Sequence, residues 1–208
     1  MVAMPEFAEP LREEDVDPSP FEQFKRWFGE AAEHGVRAPE AATLATATES
    51  GIPSARIVLV KVRDESGFVF FSNYNSRKGR ELAANPRAAL VFHWDALGRQ
   101  VRAEGRVERT SPEESAQYVR SRPRGSQLSA LASPQSEVVE SRAALEDRVA
   151  ELATEYRAAE LPQPDGWGGY RLLPDSLEFW QHREDRLHDR LRYTRQPDGG
   201  WLLERLAP

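Results

Sequence analysis

Between residues 42 and 110, apolar and polar side chains alternate in short runs separated by turns, and this period constrains the fold more than any other feature of the chain. A period of two belongs to strands, whose successive side chains point to opposite faces. Thr43 to Thr48, Ala55 to Val62 and Phe68 to Ser72 read as strands, broken at Glu49-Ser50-Gly51 and at Asp64-Glu65-Ser66-Gly67. Arg87 to Trp94 and Gln100 to Thr110 form a further hairpin. In its second arm Val101, Ala103, Gly105 and Val107 alternate with Arg102, Glu104, Arg106 and Glu108, the pattern of a strand buried on one face. Three more strands fall near 168–182, 186–195 and 201–206, with Pro197-Asp198-Gly199-Gly200 turning the last pair. Connections this short join antiparallel neighbours, and no strand–helix–strand alternation is present. The fold class is therefore α+β, mainly antiparallel β, built as a small barrel with flanking helices.

The helices announce themselves by their caps. Ser19-Pro20-Phe21-Glu22 is a capping box with proline at the first helical position, and Phe21, Phe24, Trp27, Phe28 and Ala31 follow at helical spacing as a core-facing stripe. Ser76 caps a short helix that stops at Asn85-Pro86. Ser111-Pro112-Glu113-Glu114 opens another that runs to about Ser121. Residues 122–136 read as a polar loop, and 137–158 as a helix with Leu145, Val149, Leu152 and Tyr156 on one face. Residues 1–17 hold six carboxylates against Arg12 alone and have no pattern, so they read as an acidic, mobile arm before a single domain over 18–208.

Composition excludes several chemistries. With no cysteine among 208 residues, disulfides, thiolate nucleophiles and cysteine metal sites are ruled out. No apolar run reaches the length of a membrane span and no signal-peptide pattern opens the chain, so the expected location is the cytoplasm. There is no GxGxxG after a strand, no phosphate-loop motif, no HExxH and no GxSxG elbow, and the four histidines lack metal-ligand spacing. The net charge of −6 is not that of a nucleic-acid-binding domain.

What remains is local clustering of cations. Arg120, Arg122 and Arg124 form one group, and Arg183, Arg186, Arg190, Arg192 and Arg195 another; such groups are either solvated surface or seats for small anions. Ser72 and Asn73 lead into Ser76-Arg77-Lys78, where two cations occupy a first helical turn. Cations are unfavourable at that end of the dipole unless an anion sits there, so the junction suits a phosphate. On a strand, Arg186, His188 and Arg190 would share one face, either orienting a substrate or forming a polar exterior.

These residues carry a resemblance. Glu178-Phe179-Trp180-Gln181 followed by Arg186-Leu187-His188-Asp189-Arg190 resembles the C-terminal signature of the pyridoxine/pyridoxamine 5′-phosphate oxidases. Arg56-Ile57-Val58-Leu59-Val60-Lys61, Ser76-Arg77-Lys78, Arg99-Gln100-Val101, Ser121-Arg122-Pro123-Arg124, Gln135-Ser136, Trp167-Gly168-Gly169 and Arg205-Leu206-Ala207-Pro208 continue the match in family order. The resemblance implies an FMN-binding split β-barrel, a homodimer with FMN between subunits, and oxidation of pyridoxine or pyridoxamine 5′-phosphate to pyridoxal 5′-phosphate by dioxygen. By the same resemblance FMN would be held by Arg56, Ile57, Val58, Leu59, Val60, Lys61, Phe71, Ser72, Arg77, Lys78, Gln100, Gln135, Ser136, Trp180 and Arg190. The substrate phosphate would meet Lys61, Tyr118, Arg122 and Ser126, and the substrate ring Arg186, Leu187 and His188, with Arg186 and His188 catalytic. No metal, nucleic acid or membrane enters this reading. The chain departs from the family pattern at His182, where a glycine is usual, and at Phe71, where a tyrosine is common. Rival readings are a phenazine-pathway oxidase, a flavin reductase, and a non-catalytic flavin or pyridoxal phosphate carrier.

Overall fold

The computed structural model describes residues 9–164 and 166–208. Eight strands form one antiparallel sheet: β1 (Ala41–Ala47), β2 (Pro53–Asp64), β3 (Gly67–Asn73), β4 (Arg87–Trp94), β5 (Arg99–Arg109), β6 (Trp167–Gln181), β7 (Asp189–Arg195) and β8 (Trp201–Arg205). Their order is β3-β2-β1-β4-β5-β6-β7-β8, and a further pairing of β3 with β6 closes the first six into a barrel. The expected fold class is the one observed.

The barrel closes because β6 is shared. Its first half, from Trp167 to Leu172, pairs with β3, whereas Ser176 to Gln181 pairs with β7. Between the halves the register with β5 shifts at Glu104/Gly105. A Cβ on Gly105 would stand 1.9 Å from the Leu173 carbonyl oxygen, so only glycine lets the two strands approach at this bend. Gly105→Ala should therefore lower unfolding stability by about 1–3 kcal/mol. Gly125→Ala, at an open helical position with nothing within 4 Å, should leave it unchanged or raise it slightly. Chemical denaturation of the two variants side by side checks this.

Helix α1 (Pro20–Glu33) plugs the barrel. Ser19 accepts from the Glu22 N–H and Pro20 fills the first turn, as the capping box dictates. The stripe behind it buries Phe24, Trp27 and Ala31; Phe24 meets Phe68 and Phe92 edge-on at 5.0 and 4.9 Å, and Trp27 meets Phe179 at 5.2 Å. These aromatics are packing, as the spacing indicates. The other helices are α2 (Arg77–Ala84), α3 (Pro112–Ser121), α4 (Arg124–Ala132) and α5 (Arg142–Glu155). Among the described residues, no helix is long and apolar enough to cross a membrane.

Three expectations need correction. The polar loop at 122–136 contains α4, which buries Leu128 alone and so shows no apolar period. The helix expected over 137–158 starts later, where Ser141 caps it. The strand expected over 186–195 begins at Asp189, because Glu184–Arg186 form a tight turn in which Asp185 and Arg186 have φ of 53° and 60°. As for the acidic arm, residues 1–8 lie outside the described residues. Residues 9–17 are held against β7 and β8: Leu11 is buried, its N–H donates to Asp189 at 3.1 Å, and Arg205 donates to its carbonyl and to Glu13. Tyr193 donates to the Asp17 carbonyl at 2.6 Å. Glu13 finds a counter-charge in Arg205, which its neighbours in sequence do not reveal.

Candidate functional site

Ser76 sets the first group. Its side chain caps α2 by accepting from the Gly79 N–H, placing Arg77 and Lys78 in the first helical turn. Lys78 is buried, and its ammonium donates to Ser72 Oγ at 2.8 Å, Ser76 Oγ at 3.1 Å and Gln135 Oε1 at 2.9 Å. These acceptors are neutral. Burial pushes the Lys78 pKa down to about 8, with Arg56 adding to the shift and Glu81 opposing it.

Glu81, one turn further along α2, is the counter-charge. It is buried and accepts from Thr46 at 2.5 Å, Ser54 at 2.6 Å, Arg56 at 3.3 Å and Arg77 at 2.9 Å. Burial alone would raise its pKa; the donors from Ser54, Thr46 and Arg77, with the charge of Arg56, outweigh it and hold the carboxyl at about 2. Three cations, Arg56, Arg77 and Lys78, thus share one carboxylate. The two-charge excess, beside the free N–H groups of a helix start, fits a phosphate group.

The second group is aromatic. Phe71 on β3 stacks on Tyr118 of α3 at 3.7 Å and 10°, and Tyr118 lies parallel to Trp167 at 6.1 Å. Arg122, just past α3, spreads its guanidinium over Trp167 at 4.8 Å, and its Nη1 is buried with no hydrogen-bond partner among the described residues. Lys61, Phe71, Tyr118 and Ser121 line one open cavity of about 520 Å³, in which Lys61 pairs with Glu40 at 3.2 Å. An orphaned buried guanidinium nitrogen is a seat for an anion.

The third group stands on the other half of β6. Gln100, Trp180 and Arg190 are in direct register across β5, β6 and β7. Arg190 is paired with Glu178, at 2.8 and 3.2 Å. His188 lies 4.7 Å from the Trp180 ring, whereas Arg186 occupies the left-handed turn and Leu187 is exposed. The strand alternation expected for Arg186, His188 and Arg190 is replaced by this turn.

Of the residues singled out from the sequence, the structure brings together Arg56, Ser72, Arg77, Lys78 and Gln135; then Lys61, Phe71, Tyr118 and Arg122; then Gln100, Trp180, His188 and Arg190. Ser136 follows Gln135 in a left-handed conformation, φ 76°. On β2, Val58 and Val60 point into the core while Ile57 and Leu59 point out, so a ligand beside this strand meets the inward pair through backbone only. Ser126 sits in the first turn of α4, where its N–H donates to the Pro123 carbonyl. Sequence reasoning missed Glu81, Thr46 and Ser54. Only the i,i+4 spacing of Arg77 and Glu81 hinted at them.

The fold and these groups define a split β-barrel protein with anion-ready seats at its rim. Residues 28–156 match the family described as pyridoxamine 5′-phosphate oxidase, and residues 167–208 match a pyridoxine 5′-phosphate oxidase C-terminal dimerisation region. The chain belongs to the pyridoxamine 5′-phosphate oxidase family. It is 58% identical over 194 residues to a pyridoxine/pyridoxamine 5′-phosphate oxidase of Paraburkholderia phymatum, covering 93% of this chain and 91% of that one. A Burkholderia mallei protein of the same name is 59% identical over 196 residues, with the same coverage. Among solved structures, PhzG from Burkholderia lata, in complex with tetrahydrophenazine-1-carboxylic acid, superimposes with a TM-score of 0.90 at 34% identity, over 97% of this chain and 99% of that one. A pyridoxamine 5′-phosphate oxidase-related, FMN-binding protein of Nostoc punctiforme shares the fold, with a TM-score of 0.70 at 17% identity over 93% of this chain and 100% of that one. FMN is the cofactor that family membership brings, and the phosphate seat at Ser72, Arg77 and Lys78 fits it.

Proposed function

We propose that the protein is an FMN-dependent oxidase converting pyridoxamine 5′-phosphate and pyridoxine 5′-phosphate to pyridoxal 5′-phosphate, working as a homodimer with each FMN between subunits. The observation that carries this reading is the second anion seat: Arg122 has a buried Nη1 without a partner among the described residues, beside the Phe71–Tyr118 stack and the Lys61 cavity. One phosphate belongs to the cofactor, at Lys78. A second seat calls for a phosphorylated substrate, with Lys61, Tyr118, Arg122 and Ser126 around its phosphate. The dimer is supported by the match of residues 167–208 to a C-terminal dimerisation region. Trp180 lies eleven positions along β6 from Gly169, the partner of Phe71, so the His188 and Lys78 groups stand on different halves of that strand, as a site shared between two subunits would need.

FMN, when bound, supplies the two-electron acceptor for the substrate's 4′ carbon and passes the electrons to dioxygen, giving hydrogen peroxide. The chain's own residues place and polarise. Arg56, Ser72, Arg77, Lys78 and Gln135 hold the cofactor, with Gln100, Trp180 and Arg190 approaching from the other subunit. Arg186 and His188 hold the substrate ring and its reacting substituent. The alcohol substrate loses two electrons and two protons to become the aldehyde; the amine becomes an imine, which water hydrolyses to aldehyde and ammonia.

The test is to mix the purified protein with FMN and pyridoxine 5′-phosphate in air. Pyridoxal 5′-phosphate with matching hydrogen peroxide is the expected result. A second reading, an oxidase of aromatic acids, is favoured by the likeness to PhzG; turnover of a tetrahydrophenazine carboxylic acid, with none of either vitamer phosphate, would establish it instead. FMN-loaded protein that turns over neither would be a carrier. Within the first reading, Arg122→Ala removes a charge-assisted phosphate contact of about 1.5–3 kcal/mol and should raise KM roughly 10- to 150-fold. Steady-state kinetics on the phosphorylated substrate check it, and an unchanged KM would sink the assignment.

A further inference from the structure

The corner between β6 and β7 holds a second histidine, His182, directly after Trp180-Gln181. Its N–H donates to the Gly98 carbonyl at 2.8 Å, and a Cβ on Gly98 would lie 3.0 Å from its own Cβ, so its backbone is fixed against the β4–β5 turn. The His182 ring lies 5.1 Å from that of His188 and 6.1 Å from that of Trp180. From the next residue, the Arg183 N–H donates to His188 Nδ1 at 3.1 Å.

An amide N–H can only donate, so the Nδ1 it meets must present a lone pair. A neutral imidazole accepting at Nδ1 carries its proton on Nε2. Protonating Nδ1 would set two N–H groups against each other. The charged surroundings act in the same sense. Arg183 and Arg186 flank His188 in the turn and Arg190 follows on β7. Among the described residues, the nearby carboxylates have other partners: Asp189 pairs with Arg205 at 2.9 Å and with Arg183 at 3.7 Å, and Glu178 with Arg190 at 2.8 Å and Arg102 at 2.7 Å. Glu184 and Asp185 sit exposed in the turn. Burial, then His182, then Arg186 hold the His188 pKa below the usual histidine value.

We propose that His182 is a positioning residue which, together with the Arg183 amide, locks His188 as a neutral imidazole with its only proton on Nε2. Resting on the oxidase reading, this makes His188 an Nε2–H donor toward the substrate's reacting substituent rather than a cation.

The test is a pH titration of the histidine ring nitrogens by NMR on the FMN-loaded protein, wild type and His182→Asn, with kcat/KM followed over the same range. In wild type His188 should show the Nε2–H tautomer and a midpoint below that of free histidine. In H182N the midpoint should rise with flavin content unchanged, and the acid limb of kcat/KM should move with it. An Nδ1–H tautomer in wild type, or an unmoved midpoint in folded H182N, overturns the lock. If H182N does not fold, His182→Gln carries the same comparison, and an unmoved midpoint there overturns the lock. A midpoint that moves while the acid limb stays put supports the lock and removes His188 from the oxidase reading. Absence of aldehyde from either vitamer, with the titration as described, overturns the reading and leaves the lock standing.

Discussion

Lys78→Met should weaken FMN binding by about 2–4 kcal/mol, roughly 30- to 1000-fold in Kd. Methionine keeps the length and the apolar stem but removes the ammonium. Ser72 Oγ, Ser76 Oγ and Gln135 Oε1 each lose the ammonium, although Ser76 keeps the Gly79 N–H and Gln135 the Ser72 hydroxyl, and the two-charge excess around the start of α2 falls to one. Arg56 and Arg77 cannot take over, because both are tied to Glu81 at 3.3 and 2.9 Å. Quenching of FMN fluorescence on titration with the variant reads the loss directly. Lys25→Met, at an exposed position on α1, is the control. Unchanged affinity in Lys78→Met would place the cofactor phosphate elsewhere.

The same residue gives a pH signature of definite sign. Lys78 titrates near 8 in the free protein, against an ordinary value of 10.5, chiefly because it is buried. A phosphate beside it favours the charged form, so binding above pH 8 takes up a proton. As far as Lys78 is concerned, FMN affinity should fall as pH rises beyond 8. The residue's contribution to folding runs the other way. A base depressed in the folded state binds fewer protons there than when unfolded, so between pH 8 and 10.5 its contribution to the stability of the cofactor-free protein rises. Weaker binding alongside undiminished stability separates this mechanism from alkaline unfolding.

The sequence revealed those parts of the molecule whose cause is local. A period of two and short turns specify strands whatever surrounds them, and a Ser-Pro-x-Glu box specifies a helix start, so the barrel strands, α1 and α3 were legible. The cluster at Ser76-Arg77-Lys78 was legible for the same reason: Ser76 caps α2 and both cations fall within one helical turn. What could not be read depends on partners distant in the chain. Glu81 works because Thr46, Ser54 and Arg56 arrive from β1 and β2, and Glu13 is anchored by Arg205, 192 positions away. Residues 186–188 were read as the start of a strand because charged and apolar residues alternate from Arg186 onward. Only the left-handed backbone of Asp185 and Arg186 reveals the corner.

His188→Ala should lower kcat by roughly 100-fold or more while FMN stays bound. The two effects separate because the ring belongs to the corner and not to the Lys78 group: it lies 4.7 Å from the Trp180 ring and accepts from the Arg183 amide, and it has no part in the Lys78 or Glu81 hydrogen bonds. Two consecutive non-glycine residues held left-handed, Asp185 and Arg186, cost on the order of 1–2 kcal/mol each, strain that persists when surrounding contacts fix it. The Arg183–His188 hydrogen bond is one such contact, so the alanine variant also loosens Arg186, and the loss in kcat should exceed that of a single donor. A glutamine at 188 offers an amide N–H near the position of Nε2. His188→Gln should therefore recover part of the turnover if donation from that position is what matters, and none if the imidazole must exchange a proton. Stopped-flow reduction of bound FMN by pyridoxine 5′-phosphate measures the step in isolation. Flavin lost from His188→Ala on gel filtration would instead assign the residue to holding the cofactor.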